Sequence, residues 1–166
     1  MKHIVQFSVG KDSTAMLNIM IDTGMQIDEV VFFDTGWEFD TVYENVRKNK
    51  EKVEALGIKF TTLYPKHSFD YLGFEKEVHK RNGTTQKGYS WCGGLCRWGT
   101  TEKIRTLEQY CKGAIEYVGI AYDEQKRIEK ERKGNKRFPL NEWEMTEAQA
   151  LEYCYQNGYE YIEGGA

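Results

Sequence analysis

The chain has 166 residues, about the length of one domain. Its composition, 40% hydrophobic and 30% charged with 2 prolines, excludes a disordered tail and a collagen-like fibre, so we expect one globular domain over residues 1–166. The 23 basic and 26 acidic residues give a net charge of −3. This charge counts against a general nucleic-acid-binding protein, because affinity for a phosphate backbone depends on clustered Lys and Arg.

Nothing in the sequence predicts a membrane span or secretion. No apolar run reaches the roughly 18 residues of a spanning helix, and the start MKHIVQFSVG lacks the apolar core of a secretory signal. We therefore expect a cytoplasmic protein with no membrane partner. In that reducing compartment the four cysteines, Cys92, Cys96, Cys111 and Cys154, are expected to be thiols or metal ligands and not structural disulfides.

Short apolar runs alternate with amphipathic stretches, which is typical of βα units and of a mainly parallel sheet covered by helices. We therefore predict an α/β fold. The first four predicted strands, which are rich in Val, Ile or Phe, are His3–Phe7, Glu29–Phe33, Ile58–Leu63 and Ile115–Ile120.

The segment between the first two strands has helical periodicity. Ser13 is expected to cap this helix, and Gly24 to end it. Its apolar positions Met16, Ile19 and Met20 recur on one face, which we expect to pack against the sheet.

A second helix is predicted after the second strand. Thr41 and Glu44 have the spacing of a capping box, and Gly57 supplies a stop. The apolar positions expected to face the core are Val42, Val46, Val53 and Leu56.

Two segments, residues 80–98 and 123–137, show no clear period and are predicted to be irregular. Long loops in compact domains are often functional. The second segment is strongly charged, whereas residues 138–166 contain six Glu and no Lys or Arg. Thr146 and Gln149 form another capping-box pattern, which predicts a last helix ending near Gly158.

The most informative loop is FSVGKDST, which follows the first strand and precedes the first helix. Backbone N–H groups and the helix dipole converge at such a corner, so it suits an anion. Gly10 permits close approach, Ser8 and Ser13 offer hydroxyl groups, and Lys11 adds a positive charge, as a phosphate site requires. The sequence matches neither the Walker phosphate loop nor GxGxxG. The alternative is a polar turn with a helix cap.

The segment SVGKDS resembles the SGGxDS pyrophosphate loop of the PP-loop superfamily, in particular its branch of phosphoadenosine phosphosulfate (PAPS) reductases. FFDTGWEF, residues 32–39, is similar to the DTG segment of that branch. GIAYDEQKR, residues 119–127, is similar to its GIRxDESxxR segment. The three motifs occur in the family's order over about three quarters of the chain.

The resemblance implies a HUP-type doubly wound sheet of order 3-2-1-4-5. It also implies an adenine nucleotide, either ATP or the phosphosulfates APS or PAPS, at the carboxyl ends of the strands. By position, the resemblance places Ser8, Gly10, Lys11, Asp12 and Ser13 around the phosphates, Asp34, Thr35 and Gly36 beside the nucleoside, and the backbone of Gly119 and Ile120 near the adenine.

Two charged residues of these motifs have alternative interpretations. Arg127 matches the family's sulfate-side or phosphate-side arginine, whose guanidinium donates two parallel hydrogen bonds, or is one more solvated charge in a charged run. Asp34 is a candidate ligand for Mg2+ or partner of a ribose hydroxyl, or a turn residue after a strand. Val9 replaces the first glycine of SGGxDS, which the loop tolerates if that residue needs no positive φ.

Cys92 and Cys96 form a CxxxC pair next to Arg97. Neighbouring cations lower a thiol pKa, which favours a nucleophile or a ligand. Some PP-loop relatives use cysteines to hold an iron–sulfur cluster or to carry sulfur, and zinc is another candidate ion. Cys111 and Cys154 are isolated and are interpreted as buried core thiols. The ECGLH motif of thiosulfonate-forming reductases has no match, so we do not expect thioredoxin-linked reduction of PAPS.

Three functions follow as hypotheses. The first is an enzyme that adenylates a substrate or transfers sulfur with a sulfur-donor or redox partner protein, using Lys11, Arg127, Cys92 and Cys96. The second is a binding module that holds or delivers an adenine nucleotide without turnover. The third is a subunit for sulfur modification of nucleic acid, in which residues 126–137 contact the phosphate backbone; the acidic net charge counts against it.

Overall fold

The structure is a computed structural model that describes residues 1–89 and 100–161. The chain forms two compact units. The first, which we call the sheet unit, comprises Met1–Phe32, Phe39–Thr62 and the chain from Cys111 onward. The second, which we call the hairpin unit, comprises Phe33–Glu38 and Leu63–Tyr110.

Five of the seven strands in the described residues form one sheet of order β3-β2-β1-β6-β7, in which β1 pairs in parallel with β2 and β6, and β6 pairs in parallel with β7. Counted by its own strands, this order is 3-2-1-4-5, so the predicted fold class and topology are confirmed. The strands are β1 (His3–Gln6), β2 (Glu29–Phe33), β3 (Lys59–Leu63), β4 (Glu77–His79), β5 (Thr85–Lys87), β6 (Ile115–Val118) and β7 (Lys136–Arg137).

The core of the sheet unit forms on the strands that the sequence predicted. All five residues of β2 are buried, as expected for an inner strand of a parallel sheet covered on both faces. Val5, Phe7, Val30 and Tyr117 belong to one apolar cluster with residues of the first helix. The bounds of β2 agree with the prediction, whereas three other predicted strands are one or two residues too long at an end.

Helices cover the sheet, and one of three predicted caps is present. Thr146 accepts from the backbone N–H of Gln149, and the Gln149 side chain accepts from Thr146, so this capping box is confirmed. No described helix is long and apolar enough to cross a membrane. The helices are α1 (Lys11–Asp22), α2 (Asp40–Ala55), α3 (Glu102–Tyr110), α4 (Gln125–Glu131), α5 (Pro139–Glu142) and α6 (Glu147–Gln156).

The predicted starts of the first two helices were wrong. The N-cap of α1 is Gly10, and Ser13 lies within the first turn, where its hydroxyl donates to the Gly10 carbonyl. Helix α2 follows Phe39, so Thr41 is already helical and no side chain caps the end. Leu56, predicted to face the core, is 56% exposed because the helix ends just before it.

Both segments predicted to be irregular contain regular structure. In the hairpin unit, β4 pairs antiparallel with β5, and a π-helical turn, Tyr71–Glu75, precedes them. Residues 90–98 of the first segment lie outside the described residues. The second segment contains α4 and β7. These strands have only two or three residues, too few for a hydrophobic period to be detected in the sequence.

The loop after β1 has an unusual backbone at Val9. Its φ is 68°, in the left-handed region that favours glycine, so the condition under which the loop tolerates valine without strain is not met. The Val9 side chain is 2% exposed and packs in the same core cluster as Val5 and Phe7. Burial of the side chain therefore compensates for backbone strain at the position where the family's loop has glycine.

This strain predicts an inverted order of stability between two variants. Val9→Ala and Val9→Gly both lose the buried methyl groups, but only glycine relieves the left-handed strain of about 1–2 kcal/mol. We expect Val9→Gly to be about 1 kcal/mol more stable than Val9→Ala in urea unfolding. The same pair at buried Val5 in β1 is the control, where alanine should be the more stable residue. If Val9→Ala were more stable than Val9→Gly, the argument from backbone strain would be contradicted.

Candidate functional site

The loop between β1 and α1 is fixed by its own hydroxyl groups. The Ser8 hydroxyl donates to the Ser13 hydroxyl over 3.1 Å, and Ser13 donates to the Gly10 carbonyl over 3.0 Å. The Thr14 hydroxyl reaches the Val9 carbonyl at 3.4 Å. The loop leads directly into the first turn of α1, whose backbone N–H groups have no acceptor within the helix. Such N–H groups favour an anion at this end of the helix.

Two glycines border this loop for different reasons. A Cβ atom on Gly119 would lie 2.7 Å from both Cα and N of Ser13, so the end of β6 approaches α1 as closely as backbone permits. A Cβ on Gly10 would meet only the Ser8 hydroxyl oxygen, at 3.8 Å. Packing therefore requires glycine at position 119 but not at position 10. Ile120, the next residue after Gly119, is buried, and its backbone N–H donates to Val118.

Lys11 lies among carboxylates contributed by distant parts of the chain. Its ammonium donates to Glu147 Oε1 over 2.7 Å and to Asp12 Oδ2 over 3.4 Å. Burial lowers the pKa of Lys11, but the hydrogen bond to Glu147 and the two negative charges outweigh burial, so the pKa is raised. Glu147 opens α6 and was not among the predicted site residues. Only its place in the first turn after the Thr146 cap hinted at a helix end there.

Asp12, Glu124 and Glu147 bring carboxylate oxygens within 4.8 Å of one another. Burial raises the pKa of Asp12, an effect that the Lys11 charge opposes and the other two carboxylates increase. Asp12 Oδ1 is buried and has no hydrogen-bond partner among the described residues. Hard oxygen ligands in this number suit Mg2+, so the donor set fits such an ion. We call these three residues the acidic cluster.

The motif segment 119–127 meets the loop between β1 and α1 through this cluster. Arg127 Nη1 donates to both carboxylate oxygens of Glu124, at 3.0 and 3.2 Å. Asp123 Oδ1 accepts the backbone N–H of Glu147 over 3.0 Å, which fixes the start of α6. The structure thus brings together two of the three motif segments within the sheet unit. The Arg127 side chain is 56% exposed and remains accessible to a ligand.

The third motif segment, Asp34–Glu38, belongs to the hairpin unit. Asp34 Oδ1 accepts the Gly36 N–H over 2.8 Å, and Thr35 donates its hydroxyl to Glu38 over 2.7 Å while accepting the Trp37 N–H at 3.2 Å. Asp34 therefore has the hydrogen bond expected of a turn residue after a strand, which was its alternative interpretation. Its roles toward Mg2+ and the nucleoside, and those of Thr35 and Gly36, stay predictions.

The described cysteines are structural. Cys111 and Cys154 are free and fully buried. Burial raises the pKa of the Cys111 thiol to about 12 and that of Cys154 to about 11. Both are therefore protonated at neutral pH and unsuited to nucleophilic attack. Cys92 and Cys96, the predicted reactive pair, lie outside the described residues.

Comparison with known sequences establishes the family. The profile of the phosphoadenosine phosphosulfate reductase domain matches residues 2–163. The chain therefore belongs to the phosphoadenosine phosphosulfate reductase domain family of the PP-loop superfamily, and the resemblance predicted from three motifs is confirmed.

Two relatives come from Methanocaldococcus jannaschii. The uncharacterized protein MJ0066 is 34% identical over 132 residues, covering 78% of this chain and 25% of the relative. The uncharacterized protein MJ0973 is 35% identical over 109 residues, covering 64% of this chain and 22% of the relative. The chain thus spans about a quarter of the length of these relatives.

A solved structure has the same fold. The U34-tRNA thiolase NcsA from Methanococcus maripaludis, with its 4Fe-4S cluster, superposes with a TM-score of 0.64 over 100% of this chain and 60% of the thiolase. The two sequences are 14% identical, so this likeness establishes the α/β fold alone.

The buried charge of Asp12 predicts a pH effect on stability. Asp12 keeps its proton to a higher pH when folded than when unfolded. The folded chain then binds more protons, so the free energy of unfolding falls as pH rises through the range just above the ordinary carboxyl pKa. We expect Asp12→Asn to flatten this fall and to stabilise the neutral protein by about 1 kcal/mol in urea unfolding. The exposed Glu152→Gln is the control; destabilisation by Asp12→Asn would contradict the argument.

The raised pKa values of the two buried thiols predict their reactivity. In a Cys92→Ser/Cys96→Ser double variant, we expect no thiol to react with an aromatic disulfide reagent while the chain is folded, because Cys111 and Cys154 are buried and protonated. Both should react after unfolding in guanidinium. Rapid labelling of the folded variant would show that a buried thiol is accessible.

Proposed function

We propose that this chain binds an adenine nucleotide with its phosphates at the loop Ser8–Ser13. We further propose that it acts at the phosphate or phosphosulfate end of ATP, APS or PAPS, in adenylation or sulfur transfer. Membership of the PAPS reductase domain family supports both statements. The activity of the complete protein is part of the proposal, because the chain spans only a quarter of its relatives' length.

The open space at Gly10 is the observation that carries the proposal. Gly10 has φ −64° and ψ 162°, a conformation that any residue adopts, and a Cβ there would meet no closer atom than the Ser8 oxygen. Neither backbone strain nor packing requires a glycine at this N-cap position, and Ser, Asp or Asn would cap the helix better. Close approach of a ligand to the backbone does explain the glycine, and an anion is the ligand that a helix N-terminus favours.

The charges around the loop support a nucleotide that binds together with a divalent cation. Lys11 and Arg127 carry two positive charges, against three negative charges on the acidic cluster. This excess of negative charge would repel phosphates that bind without a cation. We propose that Asp12, Glu124 and Glu147 hold Mg2+, which would shield the phosphates and stabilise charge on a leaving group.

The chemistry depends on which nucleotide binds. With ATP, an acceptor oxygen would attack the α-phosphorus, the bond from that phosphorus to the bridging oxygen would break, and pyrophosphate would leave with the electron pair. With a phosphosulfate, a thiolate would attack the sulfur atom, the sulfur–oxygen bond would break, and the nucleotide phosphate would leave. Lys11 and Arg127 stabilise the departing anion in either case. Cys92 and Cys96 are the candidate thiols.

An iron–sulfur cluster is not supported by the described cysteines. NcsA carries a 4Fe-4S cluster, and such clusters need several thiolate ligands. Neither Cys111 nor Cys154 lies in a group of three or more potential metal ligands within the described residues. A cluster or a zinc ion in this chain would therefore depend on Cys92 and Cys96.

Two alternatives remain as hypotheses beside this proposal. A binding module would hold the nucleotide without releasing pyrophosphate, AMP or sulfite, which product assays with ATP, APS and PAPS distinguish. A sulfur-modification enzyme would transfer sulfur to a nucleic acid. The structural similarity to NcsA favours the sulfur-modification alternative, because NcsA is a tRNA thiolase.

Replacing the open glycine tests nucleotide binding directly. We expect Gly10→Ala to weaken ATP binding in Mg2+ by at least about tenfold in titration calorimetry, because the new methyl group occupies the approach to the backbone. Its free energy of unfolding should fall by no more than about 1 kcal/mol, the cost of a poorer N-cap. EDTA should weaken ATP binding to the unsubstituted chain by a similar factor.

The matched control is Gly73→Ala in the hairpin unit. A Cβ on Gly73 also meets nothing closer than 3.9 Å, and its φ is not positive, so this variant adds the same methyl group without strain. It should bind ATP normally. Normal ATP affinity in Gly10→Ala would overturn the proposed site, and undiminished binding in EDTA would overturn the role of the acidic cluster.

A further inference from the structure

The hairpin unit exposes aromatic rings that are not among the predicted site residues. Trp37 stacks on Phe69 with ring centroids 4.3 Å apart and a tilt of 33°, and Phe69 meets Phe74 edge-on at 6.2 Å. Trp37 is 59% and Phe74 54% exposed. We call Trp37, Phe69 and Phe74 the aromatic strip. Phe69 is buried between these two exposed rings. Exposed aromatic rings packed on a shared buried ring are candidates for an interaction site.

A local basic surface accompanies the aromatic strip. Residues 76–87, which we call the basic hairpin, hold four basic residues and one acidic residue in a chain whose net charge is −3. Lys80, Arg81 and Lys87 are exposed and make no ion pair within the described part of the chain. Lys76 lies over the Tyr89 ring, 5.3 Å from its centroid. The hairpin is therefore a cationic projection free to meet an anion.

Backbone contacts join the basic hairpin to the π-helical turn that carries Phe74. The Gly88 N–H donates to the Lys76 carbonyl over 2.6 Å, and the Tyr89 N–H donates to Leu72 over 3.0 Å. A Cβ on Gly88 would lie 1.8 Å from the Gly73 carbonyl oxygen, so the two segments are in direct backbone contact. The Phe74 ring and the basic hairpin therefore belong to segments that pack directly against each other.

We propose that the aromatic strip and the basic hairpin bind single-stranded nucleic acid. Bases would stack on the exposed faces of Trp37 and Phe74, while phosphates of the same strand would lie against Lys80 and Arg81. Unpaired bases offer the flat faces that aromatic rings bind, and a cationic surface follows the backbone without reading sequence. Charge and ring chemistry agree on this partner.

Other occupants fit these observations less well. A second copy of this chain in a two-fold contact would bring two basic hairpins together, with like charges facing each other. A duplex presents phosphates but keeps its bases stacked inside, which leaves the aromatic strip without a partner. An acidic peptide would meet the cations but offers no flat rings for stacking.

The charged segment 126–137, first considered for this role, is partly neutralised. Arg127 binds Glu124, Lys136 binds Glu131, and Arg137 forms a bidentate pair with Glu142. Lys130 and Lys133 in the same segment are exposed and make no ion pair among the described residues, which makes them suitable controls. The basic hairpin is the better candidate because its backbone packs on the π-helical turn that carries the exposed Phe74 ring.

Fluorescence anisotropy of a labelled oligouridine RNA, about 12 nucleotides long, tests the surface on the full chain. We expect saturable binding that Phe74→Ala weakens by about tenfold, whereas Tyr155→Ala, which removes an exposed ring from the sheet unit, leaves it unchanged. Phe74→Leu separates stacking from apolar contact, and should bind as weakly as Phe74→Ala. Circular dichroism verifies that each variant folds.

The cations are tested by salt dependence. We expect Lys80→Ala/Arg81→Ala to lower the slope of log affinity against log salt by about 1.4, the value for two phosphate contacts on a single strand. The charge-matched Lys130→Ala/Lys133→Ala should leave the slope unchanged. Equal loss in both double variants, equally strong binding of duplex RNA or a poly-glutamate peptide, or no saturable RNA binding would each overturn the proposal.

This inference extends the nucleic-acid alternative of the proposed function, but its test is independent of the nucleotide site. ATP titration of the Phe74 and Lys80/Arg81 variants should give unchanged affinity. Loss of RNA binding with intact ATP binding in the unsubstituted chain would refute the surface alone, and RNA binding without ATP binding would refute the nucleotide site alone.

Discussion

The close contact between Gly119 and the first turn of α1 determines the geometry of the sheet unit around the loop. A single methyl group at position 119 would be 2.7 Å from backbone atoms of Ser13, so the end of β6 and the start of α1 meet without intervening side chains. Because β1 pairs with β6 along its whole length, the same contact sets where the loop after β1 lies. Ser8 and Gly10 are positioned by backbone packing, which requires no ligand.

The carboxylates near the contact between Gly119 and α1 lower the stability of the fold. Asp12 is largely buried with one oxygen lacking a partner, and Glu124 and Glu147 lie beside it. Lys11 compensates only part of this negative charge. Val9 adds backbone strain at the same corner. Strain and unbalanced charge concentrated on one loop are typical of a functional site, because folding alone would not select either of them.

The two units present different chemistry to a ligand. The sheet unit gathers carboxylates, a lysine and helix N–H groups at one edge of a parallel sheet, which suits a small anion with a metal ion. The hairpin unit exposes rings and unpaired cations, which suits an extended polymer. A chain with a net charge of −3 can still carry a local basic surface, because four of its basic residues fall within the twelve residues 76–87. Total charge is therefore a poor guide to a local charged surface.

The sequence by itself determined the alternation of strands and helices, the α/β class and the loop motif, because these depend on local hydrophobic periodicity and on residues that are neighbours in the chain. Only the tertiary structure decided that Glu147 meets Lys11 across 136 positions and that the half-buried Asp12 lies beside Glu124. It also decided the left-handed φ of Val9 and the pairing of the short strands β4 and β5. Such features depend on packing between distant segments, which no local pattern of residues encodes.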